Sequence, residues 1–116
     1  MCSSDLWRPQ LRGRLTVVLI DNNGGGIFEQ LPIRGETDSP LDFERLFAMP
    51  QPLDPLALAA AHGVPGRPVP APADLPDALA WALAQPISLL VVRTRRGADA
   101  EWRRQLRTMA AQQPQP

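Results

Sequence analysis

The sequence predicts an α/β domain built on a parallel sheet, and only part of one. Two observations carry the class. The runs Leu15–Ile20 and Ile87–Thr94 are apolar, rich in branched side chains and without alternation, which is the pattern of parallel strands covered on both faces. Between and after them lie segments with helical spacing, giving the order strand, small helices, helix, strand, helix. A third observation limits the extent. A complete doubly wound domain needs more strands than the two strong ones and one weak one found in these 116 residues. The chain reads as the C-terminal part of a three-layer domain.

The elements follow in order. Residues 1–13 carry no clear pattern, Pro9 cuts any helix there, and Gly13 suits a stop. After the strand at 15–20 comes Asp21-Asn22-Asn23-Gly24-Gly25-Gly26, a sharp turn at its carboxyl end. Ile27–Leu31 forms a short helix stopped by Pro32, and 33–40 form a loop. Leu41–Met49 is a short helix with Asp42 and Glu44 in its first turn.

Asp54-Pro55 opens a helix, Leu56, Ala59 and Ala60 face inward, and Gly63 ends it. A short strand is expected at Val69, then a helix over Asp74–Ala84 with Leu75, Leu79 and Leu83 on one face. Pro86 separates it from the strand at 87–94. Ala98–Ala111 is a helix with Trp102, Leu106 and Met109 on one face and Arg103, Arg104 and Arg107 mostly on the other. Trp81 and Trp102 are expected to pack helix on sheet. Residues 14–111 are thus the folded part, with a poorly matching segment at 1–13 and a disordered tail at 112–116.

Composition excludes several functions. Twelve basic and twelve acidic residues leave no net charge, whereas a phosphate-backbone binder needs a cationic surface. A single cysteine, Cys2, excludes an internal disulfide and a multi-cysteine zinc site, and a single histidine, His62, excludes a histidine cluster. No apolar run approaches the roughly 20 residues of a bilayer span. No signal peptide is visible, so a cytoplasmic location is expected. All basic residues are arginine, which reads as codon usage, and the 14 prolines concentrate in connections and the tail.

The chemistry gathers at one place. Ligands of open α/β sheets bind at the carboxyl ends of strands. Asp21–Phe28 sits at such an end. Three successive glycines let a ligand approach the backbone and turn N–H groups toward an anion. Asn22 and Asn23 offer amide oxygens, which suit Mg²⁺ or Ca²⁺. The bland alternative is a tight turn, since Asn and Gly are common turn formers. The segment is neither a P-loop nor a dinucleotide fingerprint, because no Lys-Ser/Thr follows and the glycine spacing is wrong.

The whole string, Leu-Thr-Val-Val-Leu-Ile-Asp-Asn-Asn-Gly-Gly-Gly-Ile-Phe-Glu-Gln-Leu-Pro, resembles the thiamine diphosphate (ThDP) enzymes. Within them it looks most like the 2-succinyl-5-enolpyruvyl-6-hydroxy-3-cyclohexene-1-carboxylate synthases of menaquinone and phylloquinone biosynthesis. The likeness continues through Phe43–Pro50, the helix 54–63 and Val91-Val92-Arg93-Thr94.

The resemblance implies a ThDP-binding fold and a transferase reaction. Decarboxylated 2-oxoglutarate would be joined to isochorismate with ThDP and Mg²⁺ or Mn²⁺, in a homodimer or homotetramer. It implies Asn22 as a side-chain metal ligand, with Asn23 as the alternative register, and Gly24 as a carbonyl ligand. Gly25 and Gly26 would lie near the phosphates. Ile27, Phe28 and Leu31 would line the substrate site, the first beside the cofactor. Their alternative role is core packing.

The sequence also departs from that family. No Gly-Asp pair precedes Asn22, so the family's first metal ligand is missing, as is its activating glutamate. The chain is therefore expected to be a C-terminal fragment, inactive alone, with no catalytic residue of its own. Two other readings stay open: another ThDP carboligase or decarboxylase of the acetolactate synthase kind, and a non-catalytic anion-binding α/β module.

Elsewhere, His62 reads as a helix C-terminal residue and Cys2 as inert. Arg93, Arg95 and Arg96 read as a solvated loop, with anion binding as the alternative. Nothing in the sequence fixes the distance between Glu29 and Glu44.

Overall fold

The computed structural model describes residues 13–35 and 42–112. Expectations for 1–12, for 36–41 and for 113–116, including Cys2 and most of the tail, lie outside the described residues. Three strands form a sheet in the order β1 (Leu15–Asp21), β3 (Ile87–Arg93), β2 (Gly66–Pro68). Strands β2 and β3 are parallel, with Gly66 opposite Leu89 and Pro68 opposite Val91. The Leu15 N–H donates to the Pro86 carbonyl and the Thr94 N–H to the Asp21 carbonyl, so β1 and β3 also run in the same sense. The expected parallel α/β architecture is what forms.

The described residues divide into two compact units, 13–19 with 55–91, and 20–35 and 42–54 with 92–112. In the first, helices α1 (Pro55–Ala61) and α2 (Leu75–Leu83) accompany the strands. Pro55 starts α1 where a missing N–H costs nothing. Its end is a Schellman closure: Val64 N–H donates to the Ala59 carbonyl and Gly63 N–H to the Ala60 carbonyl, with Gly63 at φ +72°. The core holds Ala78, Ala82, Leu90, Val91, Val64 and Val69. Ser88 is fully buried, and its hydroxyl donates to the Ala82 carbonyl at 3.1 Å. This satisfies a polar group that would otherwise be costly there.

The second unit is built from short turns and helix α3 (Arg96–Gln112). Gly26–Gln30 and Pro32–Gly35 are 3₁₀ turns, so the helix expected at 27–31 is present in the tighter form. The helix expected at 41–49 is a single π-type turn over Glu44–Ala48, closed by the Met49 N–H on the Glu44 carbonyl. Met49 takes a left-handed conformation that ends it. Phe43, Ala48, Glu29 and Ala100 are the buried residues besides Gly26.

Several burial expectations are corrected. Strand β1 is not covered on both faces: Val17, Val18, Leu19 and Ile20 are 36–67% exposed. Among the described residues it is one of the two edge strands of the sheet, and an apolar run reports only what a strand could bury. Ala60 and Leu83 are exposed. In α2 the buried residues are the small Ala78 and Ala82, with Leu75 and Leu79 only half-buried. In α3 the contact falls on Ala100, and Trp102, Leu106 and Met109 stand exposed. Trp81 is half-buried with the Arg67 guanidinium 4.2 Å above its ring, a cation–π contact the sequence did not suggest.

Candidate functional site

The turn at the end of β1 is built by its own side chains. Asp21 Oδ1 accepts the Asn23 N–H at 3.0 Å, an Asx turn that places Asn23 at φ +57°. Asp21 Oδ2 lies 3.9 Å from Arg93. Asp21 is thus occupied in shaping the turn.

Gly24 follows at φ +126°, a conformation L side chains rarely adopt, and a Cβ there would stand 2.2 Å from the Ala48 carbonyl oxygen. Gly25 donates its N–H to that same oxygen at 2.7 Å, and Gly26 donates to the Gly24 carbonyl at 2.9 Å. A Cβ on Gly26 would come within 2.5 Å of the Asn22 amide nitrogen.

These contacts revise one expectation. The N–H groups of Gly25 and Gly26 do not stand open toward an anion; both are already donated within the protein. Gly24 and Gly25 are needed first because the turn over Glu44–Ala48 presses against them, and Gly26 because the Asn22 side chain does.

The donor chemistry still suits a hard cation. The Asn22 amide nitrogen lies against Gly26, and its oxygen accepts no hydrogen bond among the described residues. The Gly24 carbonyl accepts one N–H and keeps a second lone pair. Neutral amide and carbonyl oxygens are the ligands Mg²⁺ takes, though two of them fill only part of its octahedral shell. No group of three His, Cys, Asp or Glu side chains that could hold a metal occurs among the described residues. The residues therefore fit a shared site, with the remaining ligands supplied from outside this set.

Beyond the glycines the surface turns apolar. Ile27 and Leu31 are 70% and 40% exposed, so neither serves as core. Phe28 meets Phe47 edge-on at 5.9 Å, and Phe47 stacks on Phe43 at 5.5 Å.

A cluster that sequence reasoning missed underlies the loop. Glu29 is 7% exposed and paired twice, with Arg34 Nε at 2.8 Å and Arg96 Nη1 at 3.3 Å. Arg96 Nη2 reaches Glu44 at 2.7 Å, and Arg34 lies 4.7 Å over the Phe43 ring. Two arginines and two glutamates balance, which is how a buried carboxylate is tolerated. Arg96 is therefore an embedded bridge and not a solvated loop residue. Its partners are 52 and 67 residues away along the chain, beyond any local pattern. The one available signal was Glu29 itself, a charge among Ile27, Phe28 and Leu31. Asn22, Asn23 and Arg95 join this cluster in lining a cleft of about 310 Å³.

The architecture and the glycine turn at the strand end define a cofactor-binding α/β domain. Residues 8–92 match the family of thiamine pyrophosphate enzymes over its C-terminal TPP binding domain, and the chain belongs to that family. Within it, the chain is similar to 2-succinyl-5-enolpyruvyl-6-hydroxy-3-cyclohexene-1-carboxylate synthases. It is 62% identical over 104 residues to that of Synechococcus sp. strain CC9902, covering 88% of this chain and 18% of the relative. It is 57% identical over 103 residues to that of Parasynechococcus marenigrum strain WH8102, with the same coverage. With the Thermosynechococcus vestitus synthase, identity is 47% over 98 residues, 84% of this chain and 17% of the relative. The chain spans less than a fifth of the length of these relatives. Among the described residues, no helix is long and apolar enough to cross a membrane.

Proposed function

We propose that this chain supplies the metal- and diphosphate-anchoring part of a ThDP- and Mg²⁺-dependent synthase. That enzyme would join decarboxylated 2-oxoglutarate to isochorismate in the cytoplasm, in menaquinone or phylloquinone biosynthesis. The supporting observation is the turn at the end of β1, where Asn22 and Gly24 leave oxygen lone pairs uncommitted beside an exposed apolar wall.

When bound, ThDP supplies the nucleophilic carbon and the electron sink of the carboligation. The chain's own residues orient it. The Asn22 amide oxygen and the Gly24 carbonyl would hold the metal as two of its oxygen ligands. Gly25 and Gly26 keep side chains out of the path of the phosphates. Ile27, Phe28 and Leu31 form an apolar surface that excludes water from the reacting carbon. No proton-transfer group is assigned within this chain. Its carboxylates near the turn, Asp21 and Glu29, are engaged by neighbouring N–H and guanidinium groups. The site would be completed by other segments and by a second subunit in a dimer or tetramer.

The test is a replacement. The C-terminal segment of the Synechococcus CC9902 synthase is exchanged for the matching residues of this chain, and consumption of 2-oxoglutarate with isochorismate is followed. The expected result is turnover that depends on ThDP and Mg²⁺ and falls at least about tenfold in Asn22→Ala, the scale of one lost charge-assisted contact. The isolated 116-residue chain is expected to show none. A replacement protein that folds but is stabilised equally by inorganic pyrophosphate and by ThDP would favour a plain anion-binding module.

A further inference from the structure

The Arg96 side chain touches two of the segments that pack around the glycine turn and lies beside Gly26 itself. Its Cγ lies 3.6 Å from the position a Cβ on Gly26 would occupy, and the Asn22 amide nitrogen stands 2.5 Å from that same position. One arm of its guanidinium holds Glu29, in the 3₁₀ turn that begins at Gly26. The other holds Glu44, the first residue of the turn whose last carbonyl, Ala48, receives the Gly25 N–H. Its side chain is only 13% exposed and that of Glu29 is buried, so water competes little for the bond between them. A planar guanidinium can span two carboxylates at once, whereas an ammonium cannot do so at fixed geometry.

We infer that Arg96 is a positioning residue for the metal-binding turn. Through Glu29 and Glu44 it clamps the two turns that flank Gly24–Gly26, and so sets the Asn22 amide oxygen and the Gly24 carbonyl at one spacing. Released from the clamp, the turn over Glu44–Ala48 and the glycine backbone shift against each other, and the two oxygens no longer meet one ion. The inference rests on the functional reading above, and its test separates the two.

The protein tested is the full-length replacement synthase described above, titrated with ThDP at saturating Mg²⁺ by calorimetry, with the thermal midpoint recorded separately. Arg96→Met is expected to raise the ThDP dissociation constant about tenfold, and Arg96→Lys about threefold, in line with a charged hydrogen bond lost or half-kept. Arg104→Ala, on the exposed face of α3, leaves it unchanged. A role confined to stability would lower the midpoint of Arg96→Met and leave the dissociation constant of the folded protein as it was; that result overturns the inference. If Arg96→Met does not fold, Glu44→Gln decides, since Glu44 is about half exposed and its loss spares the buried Glu29 pair. A roughly threefold weaker ThDP affinity in Glu44→Gln supports the clamp, and an unchanged one overturns it. Failure of the unsubstituted protein to bind ThDP at all overturns both readings.

Discussion

The Gly25 N–H and the Ala48 carbonyl meet at 2.7 Å, and the same oxygen would stand 2.2 Å from a Cβ at Gly24. One carbonyl thus fixes two successive glycines, by a hydrogen bond and by contact. Gly63 provides the comparison: its φ is +72°, yet nothing lies within 4 Å of its missing Cβ. Gly63→Ala should therefore carry conformational strain alone, about 1 kcal/mol. Gly24→Ala adds a backbone clash that must move the turn over Glu44–Ala48, and should cost at least about 2 kcal/mol more. Urea unfolding followed by circular dichroism orders the two; equal losses would mean that the Ala48 contact does not constrain Gly24.

Glu29→Gln tests the charge balance under the loop. The substitution keeps the shape but removes the counter-charge from Arg34 and Arg96. Arg96 retains Glu44, and Arg34 is about half exposed, so the loss should be about 1–3 kcal/mol and not the full cost of an orphaned buried ion.

Much of this arrangement was legible in the sequence. Asp54-Pro55 and Gly63 mark the two ends of α1, and the apolar run from Ile87 marks β3 within a residue. The glycine turn was legible because it needs three glycines in a row. What lay hidden depends on distant partners. Nothing local reveals that Ala48 would press on Gly24, that Met49 would turn left-handed, or that Arg96 would reach Glu29. The exposure of Val17–Ile20 was hidden for another reason: composition shows a strand able to be buried, while burial needs neighbours.

The Glu101 carboxyl is held below the ordinary glutamate range, first by its hydrogen bond from Arg104, then by Gln105 and the Arg104 charge. A depressed carboxylate stabilises the fold above its unfolded pKa and loses that contribution as pH falls through the folded one. Glu101 and Arg104 are both exposed, so solvent screens the pair and the global effect should be undetectable. A carboxyl ¹³C titration should show Glu101 moving upward in Arg104→Ala while the unfolding midpoint stays put. A fall in the midpoint would mean that this pair carries more than a surface contact can.

The apolar surface on the first unit makes a final prediction about the chain on its own. Leu15, Val17, Leu58, Val64, Ile87 and Leu89 line an apolar hollow of about 340 Å³, and Val17 and Leu58 are 41% and 46% exposed. Beside it, β1 is an edge strand of the sheet among the described residues. Exposed apolar surface next to an unpaired strand edge drives self-association. The 116-residue chain should therefore bind an apolar dye and sediment as a concentration-dependent mixture. Val17→Thr combined with Leu58→Gln should weaken both effects. Because both side chains are substantially exposed, the pair should change stability by no more than about 1 kcal/mol. A monomeric unsubstituted chain that binds no dye would mean that the hollow and the strand edge are closed in solution.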